Sequence, residues 1–216
     1  LMIGIRMARS YGGVMKTGYL VDTFGHISQM PQILNGVGID DAILWRGVGS
    51  ELDKTEFNWI SPNGATVLAT HLANHLGYAN IPTVPKSAEE FVEITNEIKE
   101  RLTPHSLTGY ILIMNGADYS QPDLHLPRIL KQIGDKIGKS QIVQSTVQNY
   151  IEEVRKADPI FKTFKGELYS SEKMILLHDV RSTRISVKQR NNDVQEVLEK
   201  WAEPVATWAW SLGGNY

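Results

Sequence analysis

The chain has 216 residues, of which 42% are apolar, enough for one substantial core and at most the start of a second. Lysine and arginine number 22 against 24 acidic residues, so the charge balance favours neither a nucleic-acid partner nor an anionic membrane. The absence of cysteine excludes disulfides and thiolate metal sites and leaves His, Asp and Glu as the only strong metal ligands. No apolar run is long enough to span a bilayer and no signal peptide is evident, so we expect a cytoplasmic protein.

The first 45 residues predict a βαβ unit. A helix that ends near Tyr11 is followed by a short β-branched and aromatic strand over residues 17–21. Ser28 is expected to cap a short helix that stops at Gly36, and residues 42–45 form the next strand. Strand, loop, helix and strand in this order are typical of a parallel sheet.

The middle of the chain predicts a hairpin, a helix and a buried strand. Residues 57–60 and 65–70 flank an Asn-Gly pair that suits a tight turn, and we interpret this hairpin as an insertion. A capping box at Ser87 opens a helix that runs to about residue 102. Residues 110–114 form an apolar run typical of a strand that is buried on both faces.

The last third predicts one more βα step and then a change of character. Residues 141–144 are the predicted strand, and a capping box at Ser145 opens the helix that follows. From about residue 182 a long helical stretch carries apolar residues on one side, so we predict one domain over 1–181 and the start of a helical domain over 182–216. The apolar positions of this stretch are Ile185, Val187, Val194, Leu198, Trp201, Val205 and Trp208.

Three polar side chains follow predicted strands within a few residues. These are Asp22, Arg46 and Asp118. In parallel α/β folds, ligands bind beyond the carboxyl ends of the strands, so these positions are the first candidates for a functional site. An Asp after a strand is also a common helix cap or turn residue, so position alone does not decide the function of Asp22 or Asp118.

The segment Gly18-Tyr-Leu-Val-Asp22-Thr-Phe-Gly-His26, followed by Gln29-Met-Pro-Gln-Ile-Leu34, Gly38-Ile39 and Trp45-Arg46-Gly47, resembles glycoside hydrolase family 38, the α-mannosidases. The resemblance is most specific at the Asp-x-Phe-Gly-His element and extends over the whole chain at lower strength. It implies an incomplete (β/α) barrel of mostly parallel strands, followed by the first helix of a helical-bundle domain. It also implies an enzyme that cleaves α-mannosides with retention of configuration.

In this family the Asp of the recognised element attacks the anomeric carbon and also ligates zinc, so the resemblance assigns both functions to Asp22. A metal next to Asp22 would keep the carboxylate ionised and would bind two neighbouring sugar hydroxyls, orienting the ring. Retention needs a second carboxyl group about 5 Å away to protonate the leaving oxygen and later activate water. Asp118 is the candidate, although Ala117 stands where many relatives have a polar or acidic residue.

Three further residues are predicted to contact the sugar. Arg46 occupies the position of a family arginine and can form forked hydrogen bonds to the nucleophile or to a substrate hydroxyl. Trp45, at a strand end, is a weaker candidate because such residues are more often part of the core. Tyr78 is the third candidate contact.

The histidines give a partial metal site. His178 precedes an Arg-Ser-Thr-Arg element, before which the family has a metal-ligating histidine, so it is the candidate second zinc ligand beside Asp22. His26 is expected to form a supporting hydrogen bond instead of binding zinc. His71 and His75 have helical i, i+4 spacing, but we interpret them as exposed loop residues.

The main departure from the family is the lack of any His-x-Asp element, which supplies further zinc ligands in relatives. Two ligands are fewer than the three usual for a catalytic zinc. We therefore expect the remaining ligands upstream of residue 1 and expect this segment alone to be nearly inactive. The apolar tail should also favour self-association, so a homo-oligomer is compatible with the sequence.

Two other hypotheses remain open. In a metal-dependent carbohydrate deacetylase, Asp22 would act as a base on metal-bound water instead of as a nucleophile. A sugar-binding domain without catalysis would keep the pocket and lose turnover. The sequence does not specify which α-mannoside, linkage or aglycone is recognised.

Overall fold

The computed structural model describes residues 1–73, 76–134, 136–137 and 140–214. The chain separates into two compact units, Leu1–Leu176 and Leu177–Tyr216. The first unit is a mixed α/β structure with a mostly parallel sheet, as the sequence predicts. The boundary predicted after residue 181 stays a prediction.

The strands of the first unit form a main sheet and a small hairpin. The main sheet has the order β1-β2-β4-β3-β7, and β5 pairs with β6 alone. Every pairing in the main sheet is parallel except the β3–β4 hairpin. The strands are β1 (Gly18–Leu20), β2 (Asp41–Leu44), β3 (Glu56–Ile60), β4 (Thr66–His71), β5 (Lys136–Ile137), β6 (Ser140–Gln141) and β7 (Lys162–Lys165).

Helices cover the strand edges and faces and begin largely where the sequence predicts. Ser87 accepts a hydrogen bond from the Glu90 amide at 3.1 Å, which confirms that capping box. The helix over residues 147–156 is capped by Thr146, one residue after the predicted Ser145. The expected cap at Ser28 is wrong, because the helix over residues 30–35 begins after Gln29 and has no side-chain cap. The helices are α1 (Met2–Ser10), α2 (Met30–Asn35), α3 (Ala88–Leu102), α4 (Leu126–Ile133) and α5 (Val147–Lys156), with a 3₁₀ turn at Thr103–His105.

Strand β2 is buried on both faces, and alternate side chains enter two different cores. Leu44 packs in one cluster with Leu34 of α2. Ile43 packs in the other with Ile151 and Val154 of α5. Because successive strand residues point to opposite faces, this alternation fixes which way the residue after the strand points.

The interpretation of the β3–β4 hairpin as an insertion is wrong. Strand β4 pairs in parallel with β2, so it occupies the centre of the main sheet. Phe57 and Trp59 of β3 and Val67 and Ala69 of β4 are buried in the same core as β2. The hairpin turn at residues 61–64 forms as predicted, with the Gly64 amide donating to the Ser61 carbonyl at 2.9 Å.

Two predicted strands are replaced by other structure. Residues 111–114 are half-buried and Tyr110 is exposed, but residues 110–114 form no strand, and the isolated bridge beside them joins Ile81 to Asn115. Residues 141–144 contribute only Gln141 to the two-residue strand β6. Residues 141–144 are mostly exposed, and Val143 is 66% exposed. Strand pairing depends on a neighbouring strand, which local sequence does not reveal.

The second unit is helical. A 3₁₀ turn at His178–Arg181 precedes α6 (Ile185–Val197), a π-helical turn at Leu198–Ala202 and α7 (Glu203–Ser211). Its apolar side chains are exposed, among them Trp201, Trp208 and Trp210. None of the helices in the described part of the chain is long and apolar enough to cross a membrane.

A buried carboxylate links three elements of the first unit. Glu56 of β3 is fully buried, and its Oε1 accepts a hydrogen bond from the Tyr150 hydroxyl of α5 at 2.7 Å. Its Oε2 accepts a hydrogen bond from the Leu107 amide at 3.0 Å. Burial and the adjacent carboxylate raise the pKa of Tyr150, so the hydroxyl keeps the proton that it donates.

We predict that Tyr150→Phe destabilises the protein by about 1–3 kcal/mol, because the buried Glu56 carboxylate loses one of its donors. The measurement is the urea midpoint followed by tryptophan fluorescence. Tyr110→Phe is the matched control, since it removes a hydroxyl that bonds an exposed Glu153 at 3.2 Å. Equal midpoints for the two variants would contradict the prediction.

Candidate functional site

The candidate site lies at the carboxyl ends of the parallel strands β1, β2 and β4. Leu20, Leu44 and His71 are register partners across these strands. Asp22 and Arg46 each follow two residues after the register partner in their own strand. They therefore lie side by side at one edge of the sheet, as the sequence predicts.

Arg46 is held from several sides. Its Nε donates to Asp22 Oδ1 at 2.5 Å, and its Nη1 donates to the Ile175 carbonyl at 2.8 Å. The guanidinium carbon lies 4.2 Å from the ring centroid of Phe24 and 4.3 Å from that of Trp45. The Arg46 side chain is only 10% exposed, whereas that of Asp22 is 39% exposed. A fixed cation thus orients a carboxylate that a substrate can still reach.

The Trp45 ring lies between Arg46 and the loop that carries Gly77 and Tyr78. Its ring meets that of Tyr78 edge to face, with centroids 5.6 Å apart. A Cβ at Gly77 would lie 2.3 Å from the indole, and the residue has a φ of +53°, so only glycine lets the loop lie on this ring. Trp45 is 9% exposed, which leaves little ring surface for a sugar. Its substrate contact stays a prediction.

Tyr78 connects the Trp45 ring to Asp118. The Tyr78 hydroxyl donates to Asp118 Oδ1 at 3.1 Å. Desolvation raises the pKa of Tyr78 most, and the hydrogen bond to Asp118 and the negative charges of Asp22 and Asp118 raise it further. The phenol therefore remains protonated, and both candidate carboxylates lie close enough to influence it.

A tight turn presents Asp118. The Ser120 amide donates to the Ala117 carbonyl at 3.2 Å, and Ser120 Oγ bonds both the amide and the carbonyl of Ala117. Tyr119, at the third position of the turn, has a φ of +62° and is fully exposed. Asp22, Arg46, Trp45, Tyr78 and Asp118, all predicted from the sequence, thus form one continuous series of contacts.

A segment that sequence reasoning missed lies against the loops of the site. The backbones of His26 and Leu168 exchange two hydrogen bonds of 2.9 Å, and the Ser170 amide donates to the Gly47 carbonyl at 3.0 Å. A Cβ at Gly47 would lie 2.3 Å from the Leu168 carbonyl oxygen. The glycine after the Trp-Arg pair is the sequence signal that a backbone approaches closely there.

His26 does not form the expected side-chain hydrogen bond. It is buried, and neither ring nitrogen has a partner among the described residues. Its ring packs edge-on against Trp59 with centroids 6.0 Å apart, and burial lowers its pKa to about 4. The backbone of His26, which pairs with Leu168, supports the loop instead.

His71 is also not the exposed loop residue that the sequence suggested. It is the last residue of β4 and is 3% exposed, because the hairpin belongs to the central sheet. Burial is the main reason that its pKa falls to about 3. His75 lies outside the described residues.

The described residues do not form a complete zinc site. No group of three or more His, Asp or Glu side chains within them converges to hold a metal ion. Asp22 is bonded to Arg46, and His178 belongs to the second unit. The predicted pairing of Asp22 and His178 on zinc therefore stays a prediction.

Comparison with known proteins identifies similar chains. Residues 1–172 match the family described as Glycosyl hydrolases family 38 N-terminal domain. A protein of Halalkalibacterium halodurans named as a candidate mannosylglycerate hydrolase is 27% identical over 95% of this chain and 24% of its own length. The crystal structure of an alpha-mannosidase from Enterococcus faecalis matches with a TM-score of 0.75 and 25% identity over 99% of this chain and 25% of that one. The chain thus spans about a quarter of the length of these relatives.

We predict that the protein loses stability as the pH falls from 6.5 to 5, because His26 and His71 stay neutral when folded but bind protons when unfolded. Their pKa values of about 4 and 3 are below the unfolded value of 6.5, so the stability is present above pH 6.5 and is lost toward pH 3. Each histidine contributes up to about 1.4 kcal/mol per pH unit. The urea midpoint as a function of pH measures this.

The control is His125→Gln, which changes an exposed histidine just before α4 and should leave the slope unchanged. His26→Phe should reduce the slope. A slope that is the same in His26→Phe as in the parent protein would show that His26 does not remain neutral.

Proposed function

Because the chain belongs to glycosyl hydrolase family 38, as the match over residues 1–172 shows, we propose that it carries the catalytic residues of a retaining α-mannosidase. The observation that best supports the proposal is the pair of accessible carboxylates, Asp22 and Asp118, joined through Arg46, Trp45 and Tyr78. The similarity to an alpha-mannosidase and to a candidate mannosylglycerate hydrolase supports an α-mannoside as the substrate class.

Asp22 is the proposed nucleophile. Arg46 holds Oδ1 by a hydrogen bond, which leaves Oδ2 to attack the anomeric carbon. The bond from the sugar to the leaving oxygen breaks as the ester to Asp22 forms. The fixed guanidinium limits the rotation of the carboxylate, so less reorganisation is needed during the attack.

Asp118 is the proposed acid and base. In the first step it gives its proton to the leaving oxygen, and in the second it takes a proton from the water that attacks the ester. The Tyr78 hydroxyl bonds Oδ1 and leaves Oδ2 for this exchange. Exposure of Asp118 at the tip of its turn allows access to both the aglycone and water.

Zinc is part of the proposal, with Asp22 as one ligand and His178 as a second. The described residues do not supply three converging ligands, so at least one more must come from other residues. Low activity of this segment alone is the expected consequence.

The proposal extends to the architecture. The relatives are about four times as long as this chain, and the chain matches about a quarter of each. We propose that the main sheet belongs to an incomplete (β/α) barrel and that residues 182–216 are the start of a helical-bundle domain. Its exposed tryptophans would then pack against further helices.

Replacing Asp22 tests the nucleophile and the metal ligand together. In the protein that carries this sequence, we expect Asp22→Ala to lose at least about 10³-fold in α-mannoside turnover and to lose bound zinc. Loss of turnover with zinc retained would keep the nucleophile and place the metal elsewhere. Asp40→Ala removes an exposed carboxylate before β2 and serves as the control. Full activity of Asp22→Ala would refute the proposal.

Replacing Asp118 tests the acid and base. We expect Asp118→Ala to lose about 10²–10⁴-fold on mannosides with poor leaving groups and much less on a dinitrophenyl mannoside, which needs no protonation. Added azide should accelerate turnover and give α-mannosyl azide, because it attacks the ester from the face that water uses. Equal losses on both substrates, with no azide product, would show that Asp118 has another function.

A further inference from the structure

A small cavity lies behind the candidate site, between β4, α5 and the segment that leads to Asp118. Its volume is about 20 Å³, which is enough for one water. The residues that line it include Thr70, His71, Asn80, Leu112 and Tyr150. The carboxylates of the proposed mechanism are not among them.

Two of the residues that line this cavity each have a buried polar atom without a partner among the described residues. These atoms are His71 Nδ1 and Asn80 Nδ2. His71 is 3% exposed and Asn80 is 4% exposed. Buried polar atoms of this kind are almost always hydrogen-bonded in folded proteins, to protein or to an ordered water.

The other polar atom of the His71 and Asn80 side chains already has a hydrogen-bond partner. A hydrogen bond between the His71 ring and the Trp45 backbone raises the histidine pKa, so the ring is the donor. Since Nδ1 is without a partner, Nε2 makes this bond, and Nδ1 of the neutral ring is an acceptor. Asn80 Oδ1 accepts from the Met114 amide at 2.9 Å, which leaves Nδ2 as a donor.

An acceptor and a donor on two residues that line one water-sized cavity are complementary to a single water molecule. The geometry points to a buried water that donates to His71 Nδ1 and accepts from Asn80 Nδ2, with the two residues acting as a positioning pair. The Thr70 hydroxyl, which lines the same cavity, offers a third partner, and three is the usual number for a buried water.

This pair joins the two halves of the proposed active site, and its effect on catalysis rests on the proposed function. On one side, His71 holds the backbone of Trp45, next to the arginine that orients Asp22. On the other side, Asn80 holds Met114, four residues before Asp118. The water-bridged pair therefore helps to set the separation of the two carboxylates, which must be about 5 Å for retention.

Hydrogen bonds of the neighbouring backbone fix the segment that leads to Asp118. The Ile81 amide donates to the Met114 carbonyl at 3.0 Å, and the Gly116 amide donates to the Ile81 carbonyl at 2.9 Å. Asn115 Nδ2 also donates to the Ile81 carbonyl, at 2.9 Å. A shift at Asn80 is thus transmitted to the turn that carries Asp118.

The first measurement is a crystal structure at a resolution that shows ordered waters. It should show a water within hydrogen-bonding distance of both His71 Nδ1 and Asn80 Nδ2. A direct bond between the two side chains, or a site without a water, would overturn the inference. This result does not depend on the enzyme's activity, so it decides the water site even if no α-mannoside is cleaved.

The second measurement is kinetic. We expect Asn80→Ala to lose about 10- to 100-fold in kcat/KM on mannosides with poor leaving groups and much less on a dinitrophenyl mannoside, because Asp118 is displaced. Asn80→Asp, which keeps the acceptor for Met114, should recover part of the loss. The control is Asn35→Ala, which removes backbone hydrogen bonds to Ile39 and Thr66 at the amino ends of the strands.

Equal losses on both substrates in Asn80→Ala, with the same loss in Asn35→Ala, would show that Asn80 only stabilises the fold. If the whole protein that carries this sequence cleaves neither substrate, the proposed function is refuted, and the crystallographic result alone decides the water site.

Discussion

The burial of the Arg46 guanidinium constrains the structure around the carboxyl edge of the sheet. A cation removed from water must be paired or its burial is costly, and Asp22, the Ile175 carbonyl and two aromatic rings supply the compensation. These partners come from the ends of β1 and β2 and from the segment before residue 176. One charge thereby holds together three parts of the chain that are distant in sequence. Removing any one partner leaves the guanidinium incompletely compensated.

The same edge depends on how β4 enters the sheet. Because β4 pairs in parallel with β2, its last residue lies beside the end of β2, and His71 can bond the Trp45 backbone. The antiparallel partner β3 then lies on the far side of β4 and brings Glu56 to Tyr150 of α5. Both buried polar contacts follow from the single parallel pairing of β2 with β4.

Much of the site could be predicted from local sequence, because the residue after a buried parallel strand has a defined position. Asp22 and Arg46 follow two short strands that pair in parallel, so their proximity was foreseeable. The burial of the histidines was not foreseeable. Burial of His71 depends on which strand β4 pairs with, and the i, i+4 spacing of two histidines does not indicate strand pairing. The strand predicted over residues 110–114 is wrong for the same reason, because strand pairing cannot be read from local sequence. Its apolar residues indicate burial, but the packing partner is a loop and not a strand.

The two carboxylates are held in physically different ways. Asp22 is oriented by a desolvated cation that has little freedom to move. Asp118 lies on an exposed turn and accepts a hydrogen bond from the neutral Tyr78 phenol. Asn80 holds the backbone of Met114, four residues before Asp118. In the proposed mechanism the nucleophile keeps one orientation, whereas the acid and base gives a proton to one molecule and takes one from another. A rigid cation suits the first task. A neutral donor beside an open turn suits the second, because it opposes protonation of the carboxyl group less than a cation does.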